Sequence, residues 1–172
     1  MNDLTDPPDS AGNHRPSPPI APRSGLEAVP AAARRFPMRL QGAFRLPLLL
    51  LLGVRAGTAG VRIEDGVLSA RFGWYSLQAP LADVVAWDIT GPYRWWMAIG
   101  LRRTLGRQDT TFGGSAHGGV CVHLREAVPV RFFGTARFLA TTELYVTVAD
   151  LAGLGAELER LGIPGQDGRA TR

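Results

Sequence analysis

The sequence predicts a mainly β protein, a partly open barrel of about seven antiparallel strands closed by a C-terminal amphipathic helix. Three observations carry this reading. From Val61 to Val148, short segments alternate apolar and polar residues and are separated by Gly, Pro and Asp, the period-two signature of half-buried strands. Near the end the period changes: Leu151, Leu154, Leu158 and Leu161 recur at helical spacing. Finally, 172 residues with 45% hydrophobic content suit one domain with its own core plus a tail.

Residues 1–37 read as a disordered Pro-rich tail, because PPDSAGNHRPSPPIAP has too little apolar surface to offset the entropy of ordering. Residues 38–60 form an apolar lead-in. The run Leu46–Val54 is about half of the ~20 residues a spanning helix needs, so a buried strand or short core helix is expected. If translation started at Met38, Arg39 and Arg45 would precede an apolar signal region, but Arg55 would then fall at the cleavage region. The expected location is therefore cytoplasmic, with membrane association open and export as the alternative.

The domain spans residues 61–163. VRIEDGVLSARFG reads as a hairpin turning at Asp65-Gly66. WYSLQAP supplies a third strand. In DVVAWDIT, Val85, Trp87 and Ile89 are expected on one face, with Val84, Ala86 and Asp88 on the other. Further strands are expected over Trp95–Leu101, around Thr110–Phe112, over GVCVHLRE and over ELYVTVAD. The alternation in Trp95–Leu101 assigns Trp95 to the core and Trp96 to the other face. Asp150 is the expected N-cap of the helix, which Gly162 and Pro164 stop. Residues 164–172 read as a flexible C-terminus.

All 19 basic residues are arginine, which excludes Schiff-base chemistry and a P-loop lysine. The single cysteine, Cys121, excludes an intramolecular disulfide. His117, Cys121 and His123 invite a metal reading without an evident fourth ligand. Asp109, Ser115 and His117 invite a hydrolase reading, yet no nucleophile elbow surrounds the serine. GRQDTTFGGSAHGG is a candidate phosphate nest, with a long hairpin loop the simpler meaning. The contact residues expected to matter are Arg94, Arg102, Arg103 and Arg107, which cluster around one strand and its following loop; Arg131 and Arg137 fall in a second loop-like region.

The series GVLSARFGWY, APLADV, ITGPYRWWMAIG, GVCVHL and YVTVAD resembles an uncharacterised actinobacterial family of bacterial pleckstrin-homology-like (PH-like) domain proteins. The resemblance covers roughly Val54 to Leu161. It implies a partly open barrel with a C-terminal helix and no catalytic residues. Where that family carries a His-Pro-Gly-type step, this chain has Ala140-Thr141-Thr142, so no function is assigned there. The lysine-bearing inositol phosphate signature of eukaryotic PH domains is not matched. The expectation is a non-enzymatic binding or adaptor module, without cofactor or metal, for a protein partner or an anionic membrane surface; nucleic acid is not the expected partner. The alternative is a small-ligand, metal-binding or catalytic β-barrel with its site around Cys121.

Overall fold

The computed structural model describes residues 33–41, 46–92, 99–104 and 108–169. Its strands are β1 (Arg34–Pro37), β2 (Ala59–Glu64), β3 (Val67–Phe72), β4 (Tyr75–Pro80), β5 (Val84–Thr90), β6 (Ile99–Arg102), β7 (Asp109–Gly114), β8 (Gly119–Phe132), β9 (Ala136–Val146) and β10 (Gly165–Asp167). The helices are α1 (Leu46–Leu51) and α2 (Leu151–Arg160), and a 3-10 turn covers Leu81–Asp83.

Asp65 and Gly66 turn the β2–β3 hairpin with φ of 50° and 73°, the left-handed pair that matches strand twist. The sheet runs β1-β2-β3-β4-β8-β9-β7-β6, with β5 beside β8 and β10 beside β5. It curls into an open half-barrel with one C-terminal helix. Two pairings, β7 with β9 and β10 with β5, are parallel. The long strands β8 and β9 join the two halves: the N-terminal end of β8 pairs with β5, its C-terminal end with β4, and β9 follows it throughout. The register shifts between His123 and Val128, and this irregularity lets one strand serve both halves.

The concave face holds the core. Phe72 and Phe112 stack with centroids 5.6 Å apart, surrounded by buried Leu68, Leu77, Ile89, Val120, Val122, Val130 and Leu144. Helix α2 packs against β5, β8 and β10. Its cap is as expected: Asp150 accepts from the Gly153 N–H at 2.8 Å. Leu151, Leu154 and Leu158 are buried, whereas Leu161, past the last turn, is among the exposed large hydrophobics. On the same helix, Arg160 donates to both oxygens of buried Glu157, and those hydrogen bonds hold its carboxyl below the ordinary value.

Several expectations are corrected. Arg34–Pro37, assigned to the tail, is a strand on β2, because Phe36 finds a place in the core. Gly165–Asp167, assigned to a flexible end, pairs with β5; Gly165 has no side chain to meet the Trp87 ring, whose Nε1 donates to the Ile163 carbonyl at 3.0 Å. In β5 the alternation breaks at a bulge between Val84 and Ala86. Val84 therefore joins Trp87 and Ile89 inside, and Val85 points out. Within the candidate phosphate nest, Asp109–Gly114 is strand rather than glycine-rich loop, which leaves residues 115–118 as its loop portion among the described residues. Arg131 and Arg137 are strand residues paired across the β8–β9 hairpin, not loop residues. The placement of Trp95 and Trp96, and the remainder of the tail, lie outside the described residues. Among the described residues no helix is long and apolar enough to cross a membrane.

Candidate functional site

Three chain reversals meet at one end of the half-barrel. Helix α1 buries Leu49 and then exposes Leu50 and Leu51, the latter 68% accessible. The β3–β4 turn is anchored there, the Trp74 N–H donating to the Leu52 carbonyl at 3.2 Å. Gly73 sits at φ 60° against that carbonyl. Any side chain would both strain the backbone and strike it, so glycine is what allows Trp74 to be placed here. The Trp74 ring lies over Gly53, itself without a side chain.

The β8–β9 turn completes the end. The Phe133 N–H donates to the Trp74 carbonyl at 2.9 Å, and the two rings stack at 5.2 Å. Phe132 packs beside both, and Tyr75 against Phe132. Phe133 is unusual: an aromatic residue at φ 51° with 62% of its surface exposed. The left-handed conformation costs a non-glycine residue roughly 1 kcal/mol, and little core burial offsets that cost. Leu50, Leu51, Trp74 and Phe133 thus form an apolar tip held by backbone hydrogen bonds.

Beside the tip runs a row of positive charge. Register places Arg71, Ser76, Arg131 and Arg137 side by side on β3, β4, β8 and β9. All three arginines are exposed on the convex face. A hollow of about 410 Å³ is lined by Arg71, Trp74, Ser76, Gln78 and Phe133 among others, so row and tip share one surface. Residues 46–63, 66–82 and 127–142 contain no Asp or Glu. Among the described residues no ion pair engages Arg55, Arg71, Arg131 or Arg137. Like charges directly opposite across a strand pair, as Arg131 and Arg137 are, destabilise a sheet.

A second cluster lies farther along the convex face. Cys121 and His123 share one side of β8, opposite core residues Val120, Val122 and Leu124. His123 stands across from Glu143 of β9, and Cys121 from Asp88 of β5 and Tyr145 of β9. The His123 Nε2 lies 2.8 Å from Asp88 Oδ2. Burial pushes the Cys121 thiol up to about 12, aided by the carboxylates of Glu143, Asp88 and Asp109 and opposed by a hydrogen bond with Tyr145. At neutral pH it is a protonated thiol, so a Cys121–His123 dyad offers no thiolate nucleophile.

The remaining expected residues separate. Asp109 opens β7 and accepts from the Thr104 backbone at 2.8 Å and its hydroxyl at 2.6 Å. Ser115 follows the other end of that strand, about 20 Å away at ~3.3 Å per residue; its Oγ lies 3.2 Å from His117 Nδ1 and 3.2 Å from the Gln41 amide. No Asp–His–Ser relay is assembled. Arg102 and Arg103 are exposed at the end of β6, where both engage neighbours; Arg94 and Arg107 lie outside the described residues. Arg131 and Arg137 are legible together in the sequence, whereas Arg71 joins them only through strand register across Ser76. The sequence signal for the row is the acid-free composition of the contributing segments. Comparison with family models, with curated proteins and with solved structures finds no match to this chain.

Proposed function

We propose that this protein is a non-enzymatic binding module that docks on an anionic membrane surface through the Trp74–Phe133 tip and the Arg71–Arg131–Arg137 row. The observation that carries the reading is the shared surface: exposed Leu50, Leu51, Trp74 and Phe133 beside arginines that no carboxylate among the described residues neutralises. Aromatic and aliphatic side chains enter the headgroup–acyl boundary while guanidinium groups meet anionic lipid, each basic residue contributing ~1 kcal/mol near the surface. Paired like charges on a hairpin lose their mutual penalty once an anion lies against them. The resemblance to bacterial PH-like proteins is consistent with this reading, since it implies a partly open barrel without catalytic residues.

Sedimentation with vesicles tests the proposal. The protein is expected to co-sediment with phosphatidylserine-containing vesicles at low salt, to dissociate at ~1 M salt, where the Debye length falls to ~3 Å, and to ignore pure phosphatidylcholine. Phe133→Asn keeps a residue that tolerates the left-handed turn and removes the ring; it is expected to weaken binding at least fivefold. Equal binding to both vesicle types, or none to either, would contradict the reading. Capture of a protein through the same tip in the absence of vesicles would favour a protein partner instead.

A further inference from the structure

Independently of the membrane surface, we propose that Cys121, His123 and Glu143 form a three-ligand site for a zinc-class divalent cation, with Asp88 orienting the histidine. A ligand atom from each of the three lies within 4.8 Å of the others. Tetrahedral ligands ~2.0–2.3 Å from one ion stand about 3.5 Å apart, a gap that small side-chain rotations close. The three come from facing positions on β8 and β9, so the sheet sets their spacing rather than a loop.

The donor set matches the ion. Sulfur, imidazole nitrogen and one carboxylate select a borderline-soft cation over magnesium or calcium, which take oxygen ligands. The Asp88 contact occupies Nε2 of His123, leaving Nδ1 as the coordinating nitrogen. A carboxylate on the second ring nitrogen is the usual partner of a zinc-bound histidine, fixing its tautomer and orientation. Tyr145 hydrogen-bonds the Cys121 sulfur and would support it as a thiolate. Among the described residues no hydrogen bond or ion pair occupies the Glu143 carboxylate. Asp88 and Asp109 add negative potential beside the thiol, which favours a cation there.

The charge balance is simple. Binding breaks the Cys121 S–H bond and sends that proton to solvent, while His123 coordinates through Nδ1 and donates its Nε2–H to Asp88. Thiolate and Glu143 carboxylate then offset the 2+ charge. His123 is 30% exposed, so the fourth position opens toward water, the arrangement of a site with an exchangeable ligand.

Cobalt(II) is the probe, because Cys121 is the only thiol in the chain and any sulfur-to-cobalt charge-transfer band must come from it. Titrating metal-stripped full-length protein is expected to give that band at one ion per chain, with release of one proton and reversal by zinc. Glu143→Gln and His123→Gln should each weaken cobalt binding at least tenfold, and Asp88→Asn by about 10–100-fold while the band persists. The wild-type titration decides the site's existence whether or not each variant folds, and circular dichroism identifies any variant that does not. Absence of the band, half an ion per chain, or unchanged affinity in folded Glu143→Gln and His123→Gln would overturn the proposal. Vesicle binding is expected to be the same with and without metal.

Discussion

Replacing Arg71, Arg131 and Arg137 together by alanine is expected to cut partitioning onto anionic vesicles by about 100-fold. Three guanidinium groups at ~1 kcal/mol each amount to about two decades at 1.4 kcal/mol per decade. Stability should change little or rise, because all three are exposed strand residues and Arg131 faces Arg137 directly. The thermal midpoint and the vesicle titration, measured on the same preparation, separate the two effects. Arg102→Ala with Arg103→Ala is the comparison. Arg102 ends β6, the terminal strand of the sheet path, and Arg103 follows it; their loss is expected to weaken binding less than threefold. A larger loss there than in the triple variant would move the contact surface back to the arginines first suggested by the sequence.

Phe112→Ala is expected to destabilise the fold by about 3–5 kcal/mol, the range for removing a buried aromatic side chain. Phe112 is fully buried and stacks on Phe72, so truncation forfeits both burial and an aromatic pair. The site can relax little, because its strand is flanked by β6 on one side and β9 on the other. Urea unfolding should show a lower midpoint with unchanged slope. A loss under 1 kcal/mol would mean that the Phe72–Phe112 stack is not the centre of the core.

The sequence was most informative where structure is local. Asp65-Gly66, Asp150 and the leucine stripe each act within a few residues, and each does what its chemistry indicates. It was least informative where a long-range partner decides. The motif GVCVHLRE predicts a strand ending at Glu126, yet β8 continues through Pro129 to Phe132. Proline lacks the N–H that a central ladder uses; Pro129 is tolerated because only β9 pairs with β8 at that position, β5 pairing up to Leu124 and β4 from Arg131 onward. The single added residue at Val84–Ala86 inverted the expected faces of the start of β5, because a period-two pattern has no memory across a bulge. The candidate sites divide the same way. Cys121 and His123 were legible as same-side neighbours on one strand, whereas Asp88 and Glu143 join them only through pairing with β5 and β9. Likewise Arg71 reaches Arg131 through Ser76 of β4.

The central claim, that the Trp74–Phe133 tip enters a membrane surface, is tested most directly by depth-dependent quenching of tryptophan fluorescence. The chain has four tryptophans; Trp87 is buried against α2, and Trp74→Phe isolates the contribution of Trp74. With phosphatidylserine vesicles carrying brominated acyl chains, wild-type emission is expected to fall, and most of that quenching should vanish in the Trp74→Phe protein. Quenching that is absent, or that is undiminished in Trp74→Phe, would contradict the account.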